Sequence, residues 1–94
     1  MIIERLVWNV KPGKQEQFIE MLLPYLHDEE NPIKRLYTPK IGASGTVVAE
    51  LEYESMAGWE KAWDEWKSPA KAAEAARAAE LAEIGETTIW DPVE

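Results

Sequence analysis

Thr46-Val47-Val48-Ala49-Glu50-Leu51-Glu52-Tyr53-Glu54 is the clearest strand in the chain. Val47, Ala49, Leu51 and Tyr53 fall on one face, and Val48, Glu50, Glu52 and Glu54 on the other. That is the period-two alternation of a strand with one buried side. Ser55, a good helix N-cap, follows at once. Beyond it Trp59, Trp63 and Trp66 recur at i, i+4 and i+7 along one helical face. Ser68-Pro69 supplies a fresh cap with a first-turn proline, so the helix is expected to bend there. Ala, Glu and Lys, all strong helix formers, dominate residues 70–83. Gly85 is expected to end that segment, with Thr87 to Trp90 as a short last strand stopped by Asp91-Pro92.

Upstream, Gly42-Ala43-Ser44-Gly45 reads as a hairpin loop whose glycines tolerate positive φ. It joins a strand over Ile33 to Ile41, which Pro39 assigns to a sheet edge. Lys14 to about Glu30 is expected to be helical, with Phe18, Met21, Leu22, Tyr25 and Leu26 on one stripe and a kink or restart at Pro24. Ile2 to Val10 is the first strand, with Leu6, Trp8 and Val10 on one face and Arg5, Val7 and Asn9 on the other. The order β-α-β-β-α-β is the ferredoxin-like α+β plan: a four-stranded antiparallel sheet with both helices on one face, here one domain over residues 1–94. Val7 and Val48 then lie on the uncovered face. A second copy covers it economically, so a homodimer is expected.

Composition narrows the function classes. The chain has no Cys, which excludes disulfides, thiol nucleophiles and zinc–thiolate sites. The net charge is −8, and all of the excess lies in residues 50–94, with twelve acids against four bases. Such a surface repels phosphate, so neither nucleic acid nor an anionic membrane is an expected partner. The opening residues lack the basic and apolar regions of a signal peptide, and no apolar run reaches membrane-spanning length. A cytoplasmic location is expected. Five Trp residues are many for 94 residues and suit interfaces or ligand walls.

Glu4-Arg5-Leu6-Val7-Trp8-Asn9-Val10-Lys11-Pro12-Gly13 resembles the opening of NIPSNAP-like domains: an acid, an aromatic late in the strand, then Val-Lys-Pro-Gly before the helix. Tyr37, Gly42, Thr46-Val47-Val48 and Glu50, then Trp59, Trp63 and Trp66, extend the resemblance over nearly the whole chain. It implies a dimeric α/β barrel, similar in fold to antibiotic-biosynthesis monooxygenases, with two sheets face to face and one cleft per subunit between helices and sheet. It implies no particular reaction. The sequence departs from the haem-degrading branch of that group, with Leu6 where the branch has Asn and Ala75 where it has His.

His27 is the only histidine and sits near the end of the first helix. There it serves as a surface charge on the helix dipole or, as sharper alternatives, as a general base or, last, a haem ligand. Tyr37 is a candidate acid or hydrogen-bond donor, or simply an edge-strand aromatic. Glu50, Glu52 and Glu54 share one face; pairing with Arg5 and with bases across a dimer is expected, and no metal site, since metal ligands converge from several segments. The three helical Trp residues read either as core or, with Trp8, Trp63 and Trp66 as walls, as a cleft for a flat apolar molecule with His27 or Tyr37 as its polar group. The Ala-rich run from Ala70 to Ala82 either leaves room there or permits close approach. No Gly-rich phosphate loop follows a strand, and no cofactor is expected. Two functions remain open: a homodimeric binding protein or cofactor-independent, monooxygenase- or isomerase-like enzyme for a small apolar or aromatic compound, and a non-catalytic interaction or accessory domain.

Overall fold

The computed structural model describes residues 1–42 and 44–93. Its sheet is built on β1 (Ile2–Val10), which pairs antiparallel with β3 (Thr46–Tyr53) on one side and β4 (Ala82–Trp90) on the other. β2 (Ile33–Tyr37) adds to β3, giving the order β2-β3-β1-β4. Between the strands run α1 (Gln15–Leu26), α2 (Met56–Trp66), a 3-10 turn at Pro69–Lys71 and α3 (Ala72–Leu81). This is the ferredoxin-like α+β arrangement.

Alternation sets the layers. Ile2, Glu4, Leu6 and Val10 of β1 and Val47, Ala49 and Leu51 of β3 are buried under the helices. Phe18 and Leu22 of α1 and Leu81 of α3 close the core over them. Phe18 is fully buried and meets Trp8 edge-to-face, with ring centroids 5.1 Å apart at 76°. Burying a side chain of that size stabilises the domain by roughly 2–3 kcal/mol. Ser55 caps α2 by accepting from the Gly58 N–H at 3.2 Å.

Four boundaries differ from the sequence expectation. α1 ends at Leu26, not near Glu30, and Pro24 lies inside it, two residues from its end. Beyond it the Asp28 side chain accepts from the Glu30 N–H and the Asn31 side chain from the Ile33 N–H, both at 3.0 Å. These two-residue Asx turns compete with further helical bonding. β2 stops at Tyr37, ahead of Pro39, and lies at the sheet edge as the proline requires. The bend at Ser68-Pro69 becomes a break: the 3-10 turn separates α2 from α3. β4 begins at Ala82, five residues before Thr87, so Gly85 is a strand residue and not a helix terminator. Gly85 is the extra residue of a bulge opposite Val7 and Trp8. A Cβ there would lie 2.6 Å from the Asn9 amide nitrogen, so a larger residue fits only if the Asn9 side chain moves aside.

Candidate functional site

Between the sheet and the helices lies a cleft of about 760 Å³, within the range of small-molecule sites. Leu6, Trp8 and Tyr53 form part of its floor, with Ile84 of β4 beside Trp8. Phe18, Met21 and Tyr25 of α1 line one wall, and Trp63 and Trp66 of α2 with Ala75, Ala78 and Ala79 of α3 line the other. The alanines therefore leave room and do not draw the helix onto the sheet.

Glu4 belongs to the same floor. It is fully buried, on the same face of β1 as Leu6. The Trp59 and Trp63 indole N–H groups donate to its Oε2 at 2.8 and 3.0 Å, and the Tyr53 hydroxyl donates to its Oε1 at 3.2 Å. The ion pairs among the described residues are Arg35–Glu52, Lys71–Glu74 and Arg77–Glu80, so Glu4 is held by neutral donors alone. A carboxylate offers about four lone-pair positions, and three are taken. Burial, then the charge of Glu4 and its hydrogen bond, push the Tyr53 hydroxyl up, which keeps it a donor. At the α1–α3 side of the cleft the Tyr25 hydroxyl donates to Glu74 Oε2. Burial first, then that bond and the Glu74 charge, push Tyr25 up to about 12, and the same bond lowers Glu74.

Trp8, Trp63 and Trp66 all line the cleft. His27 and Tyr37 do not. His27 is the exposed C-cap residue of α1, outside the cleft lining. Tyr37 pairs with Val48 on the sheet face away from the helices, where its hydroxyl donates to Glu50 at 2.7 Å. Among the polar side chains that do line the cleft are Glu4, Tyr25 and Tyr53. Trp59, expected only to pack, anchors Glu4. The strand acids also differ in detail: Arg5 sits opposite Glu50 in register, but Glu50 is bonded by Tyr37 and Glu52 lies 3.9 Å from Arg35. Among the described residues no group of three or more His, Cys, Asp or Glu side chains is gathered to hold a metal.

A NIPSNAP domain protein from Burkholderia xenovorans superposes with a TM-score of 0.78 over 99% of this chain and 95% of its own, at 16% identity. Several structural neighbours of this chain are NIPSNAP proteins. A second, from Agrobacterium tumefaciens, gives 0.78 over 99% of this chain and 93% of that one, at 18% identity. A Chloroflexus aurantiacus protein assigned as an antibiotic-biosynthesis monooxygenase shares the fold at a TM-score of 0.67 over 100% of this chain and 95% of that one, at 11% identity. At such identities the likeness is one of fold. No protein-family profile and no curated protein matches the sequence.

Proposed function

We propose that the protein binds a small apolar or aromatic molecule in the helix–sheet cleft, with Trp8, Trp63 and Trp66 as its walls, and that it does so as a cytoplasmic homodimer. The observation that carries this reading is the open 760 Å³ space beside those rings. Binding is favoured over catalysis because the groups at hand are committed to one another: Glu4 already accepts three hydrogen bonds, and Tyr25 and Tyr53 are held protonated. A cofactor-independent reaction of the monooxygenase or isomerase kind is the active form of the same reading, and the monooxygenase-like neighbour is its motive. Native mass spectrometry of freshly purified protein, followed by Trp fluorescence titration with an aromatic panel, tests it. Retained mass or a saturable quench is expected; a bare protein with no saturable response to any compound overturns it.

The dimer rests on the outer sheet face. Val7 and Val48 sit opposite each other there, half-buried, and Trp90, more than half exposed, sits opposite Ile3. No layer formed by the described residues covers them. Sedimentation equilibrium is expected to give a dimer at micromolar concentration, and Trp90→Glu a monomer; a monomeric wild-type protein refutes it. A second reading, docking of a basic protein, is favoured by the exposed acids Glu60, Asp64, Glu65, Glu80, Glu83 and Glu86. It requires a salt-sensitive partner in pull-downs.

A further inference from the structure

We infer that the cleft selects a cationic aromatic or apolar amine over neutral and anionic molecules of the same shape; this rests on the ligand-binding reading of the cleft.

Three features point the same way. The floor carries a fully buried carboxylate, Glu4, whose hydrogen bonds come from neutral donors, so its charge has no cation to balance it. A cationic occupant supplies one through a medium that screens weakly. The wall carries Trp63, which lines the cleft and also donates its N–H to Glu4 at 3.0 Å. Donation to an anion enriches the indole π face, and Trp is the best cation–π partner among the side chains. The rim carries four exposed acids, Asp28, Glu30, Glu65 and Glu83. Against them stands Lys71, already paired with Glu74 at 3.5 Å. Low-dielectric walls with one sign of charge concentrate counter-ions at the mouth. An anion meets the same rim as a barrier, and a neutral ring gains only the apolar contact.

Isothermal titration calorimetry with three matched probes tests the inference: (2-naphthylmethyl)trimethylammonium, 2-naphthalenemethanol and 2-naphthoate, each against the wild-type protein at low and high salt. The ammonium is expected to bind at least about fivefold tighter than the alcohol, in the range of a desolvated cation–π contact. It should be displaced by the alcohol in competition, and the naphthoate should be weakest. High salt narrows the preference without abolishing it, because only the rim is screened. Trp63→Phe, checked for folding by circular dichroism, keeps a ring but loses the donor to Glu4, and should cut the ammonium-to-alcohol ratio at least about twofold. A ratio below fivefold, a preference for the naphthoate, or ammonium binding that the alcohol does not displace overturns the inference while leaving the cleft as a binding site. Failure of all three probes to bind removes the cleft reading itself.

Discussion

Replacing Glu4 tests what holds α2 to the sheet. In Glu4→Gln the amide oxygen can face the two indoles, and the amide NH₂ can face Tyr53, whose hydroxyl turns to accept. All three bonds survive but lose their charge assistance, about 1 kcal/mol each. Burying a neutral amide instead of a carboxylate returns part of that. The net cost is about 1–2 kcal/mol. Glu4→Leu removes the acceptor and strands one hydroxyl and two indole N–H groups. An unmet buried donor costs about 1–3 kcal/mol, but Trp59 and Trp63 are half-buried and gain water by a small displacement, so about 3–5 kcal/mol is expected in all.

Urea unfolding, followed by far-UV circular dichroism and by the fluorescence of the same tryptophans, measures both. With a slope of about 1 kcal/mol per molar, the midpoint falls about 1–2 M for Gln and further for Leu. Buried charges replaced together with their partners are often neutral or better, so Glu4→Leu combined with Trp59→Phe and Trp63→Phe should recover part of the Leu loss. A Glu4→Leu protein as stable as wild type, or one more stable than Glu4→Gln, refutes the claim that this network anchors α2.

The Tyr25–Glu74 bond gives stability a dependence on pH at both ends. Tyr25 is raised from its ordinary 10.0 to about 12, so its contribution is complete below pH 10 and is lost as pH climbs towards 12; Tyr25→Phe should flatten that fall in the urea midpoint. Glu74 is lowered from 4.5, so its contribution is present above that pH and lost on acidification, and Glu74→Gln should flatten the acid limb. Gly85→Ala pushes only against the mobile amide of Asn9, so it should cost less than about 1 kcal/mol. With Asn9→Ala it should become stabilising by about 0.5–1 kcal/mol, because Gly85 has no positive φ to protect; thermal unfolding of the single and double variants reads the sign. Ala78→Leu places a larger side chain in the cleft. It should leave stability unchanged or raise it by up to about 2 kcal/mol while abolishing probe binding; a loss of 1–3 kcal/mol, the usual cost of overpacking, would mean the space is not there.

Much of the architecture is legible because local signals agree with the fold. The Thr46–Tyr53 alternation, the Ser55 cap and the proline-limited edge strand each act within a few residues. The start of β4 was hidden for the opposite reason. Ala82-Glu83-Ile84-Gly85-Glu86 reads as the tail of a helix, and only pairing with Val7–Val10 of β1 overrides that preference. Tyr37 illustrates register. Four residues from Ile33, it should share that residue's buried face, but an irregularity between Ile33 and Arg35 reverses the parity and turns it outward. Glu4 was within reach. It shares the parity of Leu6 and Trp8 on a strand with an apolar face, and an acid in that position demands donors. Two indoles at i and i+4 on α2 are such donors, but their apolar bulk draws the reading towards packing.

The cleft itself needs a physical reason to stay open, since apolar walls gain by closing. Two polar ties set the spacing. One joins α2 to the sheet through Trp59, Trp63 and Glu4; the other joins α1 to α3 through Tyr25 and Glu74. Collapse of the walls would stretch at least one of them and strand a buried polar group, a loss comparable to what closing over small alanine side chains returns. The break at Ser68-Pro69 separates α2, with its large rings, from α3, with its alanines. The proposed recognition of an amine would then rest on the same group as the structural tie: the carboxylate of Glu4 that accepts from Trp63 is the one whose charge a cation in the cleft would meet.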